Sequence, residues 1–169
     1  MIKKRICQFL LVAGCFLLQN TVLKTLEFGA VAPNLLLVIT AAFGFIGGRR
    51  EGMYIGVLCG LLIDIFYGQL FGYYTLLYTL IGYVNGFFHA VFYDRDIKQP
   101  MLLIALSDLA YGLIQYFIQF LLRGKFDFGF YFMNVIIPEF LYTVVLTLIF
   151  YRGILKLYEK LDTWTIQGV

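Results

Sequence analysis

Three acidic residues, Asp64, Asp108 and Glu139, lie inside runs of Leu, Ile, Val and Phe, and they are the side chains best placed to do chemistry. An ionised carboxylate near the middle of a bilayer costs about 2.5 to 3.5 kcal/mol on insertion scales, so its presence calls for a function or a partner. Gln115, Gln119 and Asn134 accompany the acids as polar groups at membrane depth. No Lys or Arg falls within the apolar runs, so each acid must be neutral, hydrogen-bonded to a helix end, or facing water. Two readings are open. In one, the acids line a proton or cation path or the cavity of a small-solute transporter. In the other, they cap or staple neighbouring helices, with Asp64 accepting from backbone N–H groups of the turn between Gly68 and Gly72. The scatter of the polar groups over different depths favours the second.

Other chemistries find little support. There is no G-x-S-x-G elbow, no phosphate-cradling G-x-x-x-x-G-K-[ST] and no H-E-x-x-H. His89 is the single histidine, which rules out a multi-histidine metal site and leaves it as an interfacial hydrogen-bonder. Cys7, Cys15 and Cys59 lack metal-ligand spacing and read as small packing side chains. The expectation is a chain that is not an enzyme and uses no cofactor or metal.

The elements that must position the acids follow from composition. With 62% hydrophobic and 14% charged residues among 169, and a mean hydropathy of +0.86, the chain lies far outside the range of soluble domains. Its basic balance therefore orients it in a lipid bilayer rather than recruiting nucleic acid. Val12-Ala13-Gly14-Cys15 looks like a lipoprotein cleavage box, but the apolar run continues past Cys15 to Leu23, which predicts an uncleaved first helix.

Six helical segments are expected at about 6–23, 33–48, 52–67, 71–92, 101–122 and 130–151, forming one membrane domain over 1–152 with a short cytoplasmic tail at 153–169. The third, at roughly 16 residues or about 24 Å, is short for a bilayer core of about 30 Å. With the amino terminus inside, ten of the 13 Lys and Arg fall on the inner side and three on the outer, which supports six spans with both termini cytoplasmic.

Gly52, Gly56, Gly60, Asp64 and Gly68 recur every four residues and so share one stripe of a helix, with Gly72 closing the following turn. Gly82 and Gly86 repeat the spacing in the fourth segment. Such rows let backbones approach closely, either within the bundle or against a partner protein. The stretch from Gly52 to Gly72 is therefore expected to organise the fold.

Several runs carry a family resemblance: Leu17 to Leu23 (LLQNTVL), Pro33 to Val38 (PNLLLV), the basic turn Gly47 to Gly52 (GGRREG), Gly60 to Gly72 (GLLIDIFYGQLFG) and Leu76 to Gly86 (LLYTLIGYVNG). In this order they resemble the bacterial rod-shape-determining membrane protein family MreD, over roughly residues 17 to 90. The resemblance implies an all-α integral membrane protein, a six-helix bundle similar to the substrate-binding component of energy-coupling-factor transporters. It implies a non-catalytic subunit of the cell-wall elongation complex in the plasma membrane, beside the scaffold MreC and with MreB, RodA and a class B penicillin-binding protein as further partners. Pro33, Asn34, Gly60, Leu61, Asp64, Gly68 and Gly72 are its family-like structural or partner-contact positions. The alternative is a vitamin or small-solute transport component with Asp64, Asp108 and Glu139 around its cavity.

Overall fold

Apolar runs in lipid can satisfy their backbone groups internally only as helices or closed barrels. The computed structural model describes residues 2–23, 33–68, 71–89, 98–118 and 128–166, and all regular structure among them is helical. Helix α1 (Ile2–Leu18) continues as a π-helical segment, Gln19–Leu23. It is followed by α2 (Leu35–Gly47), α3 (Arg49–Tyr67), α4 (Tyr73–Phe88) and α5 (Lys98–Tyr116). The last stretch is built from α6 (Phe128–Tyr131), a π-helical segment Phe132–Ile136, and α7 (Ile137–Ile166).

Among the described residues, one helical stretch, Gly129–Lys156, is long and apolar enough to cross a membrane on those two criteria, and Leu35–Gly47 is a shorter apolar helix. The six spans expected from the sequence are thus not each self-evident as helices. The reason lies in their make-up: α4 has 16 residues and α1 has 17, while α3 spends three of its 19 on Arg49, Arg50 and Glu51 and a fourth on Asp64. The third segment is nonetheless one unbroken helix, about 28 Å long at 1.5 Å per residue.

The centre of the molecule is α2, not the Gly52 to Gly72 stretch. Every residue from Leu35 to Phe45 is buried, including Thr40, whose hydroxyl donates to Leu36 O at 2.8 Å. An apolar helix buried on all sides needs neighbours all round, and α2 touches α1, α3, α4, α5 and α7. A single residue, Gly48, with φ +80, reverses the chain from α2 into α3. Its position favours glycine because an L side chain rarely adopts that φ.

The glycine stripe faces inward, against the same chain. A Cβ on Gly52 would overlap Gly82 O, one on Gly56 would overlap Tyr78 O, and one on Gly60 would run into the backbone of Tyr74 and Thr75. Successive glycines on α3 thus meet residues successively nearer the start of α4, as two antiparallel helices in backbone contact must. Gly86 rests against Arg49, and Gly44 of α2 closes on Gly82, so three helices converge at one glycine node. Of the two roles expected for these rows, packing within the bundle is the one the contacts display.

Candidate functional site

The stripe that begins as glycine ends as a carboxylate. Asp64, 3% exposed, stands one turn beyond Gly60, where α4 starts. The first N–H groups of any helix lack intrahelical partners, and the residue before α4 is Gly72, which has no side chain to cap them. Asp64 does so from α3. Its Oδ1 accepts from Tyr74 N at 3.0 Å, and its Oδ2 accepts from Thr75 N at 2.9 Å and Thr75 Oγ1 at 2.5 Å. The carboxylate also faces the positive end of the α4 dipole. The donors belong to the first turn of α4, one step beyond the Gly68 to Gly72 turn expected from the sequence.

Gly68 and Gly72 have a different role from the packing glycines. Gly68 ends α3, its N–H donating to Asp64 O at 3.1 Å, and Gly72 adopts φ +94 with nothing within 4 Å of where a Cβ would stand. Backbone conformation, not close approach, explains Gly72. Leu61, one residue along from Gly60, points away from the seam and is exposed.

The start of α2 repeats the arrangement. Pro33 is buried beside Asn34, whose Oδ1 accepts from Leu37 N at 3.1 Å and from Tyr78 OH at 2.8 Å. Gln19 Oε1, from the π-helical end of α1, accepts from Leu36 N at 3.1 Å. The starts of α2 and α4 are therefore each met by a polar side chain from the preceding helical segment, Gln19 beside the local cap Asn34 and Asp64 in place of one, which ties α1 to α2 and α3 to α4.

The opposite end of the bundle carries charge. Arg5 Nη1 lies 3.0 Å from Glu51 Oε2 and stacks over the Tyr54 ring at 4.1 Å. Lys4 is 3.5 Å from the other Glu51 oxygen, and the buried Gln8 donates to Glu51 at 2.8 Å. Arg49 packs over Phe87 at 4.5 Å. His89 Nδ1 is 2.7 Å from Phe45 O, joining the ends of α4 and α2.

The remaining polar positions do not assemble into one site. Asp108 on α5 is 4% exposed with Oδ1 unpartnered, as is Thr143 Oγ1 on α7. Gln115 donates to Tyr111 OH at 2.9 Å. Asn134 is exposed and donates to Phe130 O at 2.9 Å, whereas Gln119 lies outside the described residues. A half-open cavity of about 180 Å³ sits where α1 and α3 end and α2 and α4 begin, and among the described residues Glu139 is the one acid that lines it. The transporter alternative placed all three acids around one cavity; here Asp64 is spent on capping α4, and among the described lining residues of this cavity Glu139 appears and Asp108 does not. Among the described residues no group of three His, Cys, Asp or Glu is placed to hold a metal.

Gln8, Glu51, Tyr78 and Asn85 are structural residues that the sequence pattern did not bring forward. Gln8 and Asn85 are fully enclosed polar residues, the latter donating to Ser107 Oγ at 2.7 Å. Each is an isolated polar residue amid apolar neighbours, the same signal that singles out Asp64.

Comparison with known families matches residues 3–161 to the family model described as rod shape-determining protein MreD. The match extends well beyond the residues 17 to 90 on which the resemblance rested. No curated protein and no solved structure matches the chain.

Proposed function

Because the chain belongs to the rod shape-determining MreD family, and so to the proteins that determine rod shape, we propose that it is a non-catalytic, multi-pass subunit of the bacterial cell-wall elongation complex. It spans the plasma membrane six times with both termini in the cytoplasm, binds an MreC-like scaffold and helps to position peptidoglycan synthases. The family match over residues 3–161 carries this reading.

The architecture supports it in two ways. Lys4, Arg5, Arg49 and Glu51 gather at one end with His89, as expected if the amino terminus and the α2–α3 and α4–α5 connections share the cytoplasmic side. Beside the seam, Met53, Val57, Leu61 and Ile65 form an exposed apolar stripe along α3. On a helix already fixed to α4, that stripe is free to meet lipid or a partner's membrane helix.

The test is co-purification of the tagged protein from its native membrane, combined with depletion. An MreC-like protein should come along, depleted cells should lose rod shape, and Leu61→Arg should reduce capture while leaving the protein in the membrane. Unchanged shape and unchanged wall labelling after depletion would falsify the reading.

A further inference from the structure

The cavity beside Glu139 has an unusual balance of groups. Its walls are aromatic, with Phe16, Tyr67, Tyr74, Tyr78 and Tyr111 from four different helices, and among the described residues no Lys or Arg lines it. The oxygens of Gln19, Asn20 and Asn34 are already engaged as acceptors, by Leu36 N, Tyr67 OH, and Leu37 N with Tyr78 OH respectively. The Glu139 carboxylate makes no hydrogen bond and no ion pair among the described residues. A carboxylate held away from water without a counter-charge is destabilising, and none of the described lining residues supplies a positive donor.

The backbone around it is shaped for the purpose. Pro138 has no N–H, so the regular bond to Asn134 O cannot form there. The helix accommodates this through the π-helical turn Phe132–Ile136, with Ile137 N donating five residues back to Phe132 O. A π turn inserts a residue into the helix and rotates the side chains beyond it, and such turns are frequent at functional sites. The second wall has the same device, since Gln19 and Asn20 belong to the π-helical segment Gln19–Leu23. Two helix irregularities thus bring Glu139 and the amides to one cavity.

We propose that this cavity binds an organic ammonium group, with Glu139 as its counter-ion and the faces of Tyr67, Tyr74 and Tyr78 as its aromatic walls. Rings attract a cation through their quadrupole, and the effect grows when the site is partly dry. At about 180 Å³ the space is well below the roughly 300–1,000 Å³ of pockets that enclose drug-sized ligands, so it suits a headgroup-sized amine and excludes larger solutes. The amine can be the headgroup of an aminophospholipid or a free small amine. The inference concerns this site alone and stands whether or not the scaffold-binding reading holds.

The experiment uses the full-length protein in detergent. Native mass spectrometry compares retention of phosphatidylethanolamine with phosphatidylglycerol, and thermal unfolding is followed with added ethanolamine or choline chloride against sodium chloride. The expected result is a preference for the ammonium-bearing probe that falls about tenfold in Glu139→Gln, as loss of a partly desolvated cation contact of this kind implies. Tyr67→Leu, at an exposed position, should weaken it, while Tyr67→Phe, which keeps the ring, should retain most of it. A lipid preference without an effect of the free amines identifies the headgroup as the source, and the converse identifies a soluble amine. Equal retention of both lipids with no response to either amine overturns the proposal, as does a preference unaffected by both Glu139→Gln and Tyr67→Leu.

Discussion

The α3–α4 hairpin and the α5–α7 pair are both helix contacts inside the same bundle, yet they are held by different means. In the hairpin, backbone lies on backbone: Gly52, Gly56 and Gly60 leave no room for a Cβ, and the polar group at the end of the stripe, Asp64, has three donors. Between the π-helical turn before α7 and α5, side chains do the packing. A Cβ added at Gly112 would meet the Ile136 side chain at 3.3 Å, and the buried Asp108 carboxyl and Thr143 hydroxyl face each other without a hydrogen bond of good geometry. Lipid supplies little hydrophobic drive between helices, so close backbone contact and satisfied polar groups must hold such a bundle together. The hairpin has both, and the α5–α7 pair has neither to the same degree.

The largest expected effect comes from forcing the two regions to trade properties. Gly52→Ala puts a methyl into the backbone of α4, which cannot yield as a side chain can, and should cost about 3 kcal/mol, the upper end for overpacking. Thermal unfolding in detergent should show the loss, and Gly112→Ala measured alongside should cost far less, since Ile136 can adjust its rotamer. Equal losses at the two positions would remove the distinction. Asp64→Ala should cost about 2 kcal/mol, as the start of α4 loses its cap, with Asp64→Ser recovering part of it. Increased hydrogen exchange at the Tyr74 and Thr75 amides, confined to that turn, would mark the cap as the cause.

Smaller effects sharpen the same contrast. Gly72→Ala meets no neighbour, so its cost should be the strain of a left-handed backbone alone, about 1 kcal/mol. Adding an N-cap side chain at the same position should not offset it while Asp64 holds the donors. Thr143→Val, which removes a buried hydroxyl that makes no hydrogen bond of good geometry, should change stability by no more than about 0.5 kcal/mol. A clear fall in unfolding temperature would mean that Thr143 is a working hydrogen-bond partner and that the α5–α7 contact is as well satisfied as the hairpin.

Much of the hairpin was legible in advance. A residue type repeated every four positions names a helix stripe whatever surrounds it, so Gly52, Gly56, Gly60 and Asp64 could be placed on one face from spacing alone. The cap on α4 was legible in kind, because a carboxylate in an apolar run needs donors and helix starts offer them. The cavity was not. Its lining comes from the ends of helices far apart in the chain, Gln19 beside Leu36 and Tyr67 beside Asn20, and no periodicity relates such residues. The π-helical turns that bring them there depend on strain and local packing, which the sequence signals only through Pro138.

What the amino-acid sequence determined by itself is the class of molecule and its local grammar: an apolar helical chain, a basic bias between its loops, a glycine stripe and a small set of acids that require partners. Each depends on composition or on spacing within one helix, where geometry is known before folding. Only the tertiary structure decided what the stripe packs against, that α2 rather than α3 is the enclosed centre, and which acid was spent on architecture. Asp64 met the free donors of α4 and is hydrogen-bonded by them, whereas Glu139, equally apolar in its sequence surroundings, was set facing a cavity. The difference lies in which helix end each carboxylate reaches, and that is a property of the packed bundle.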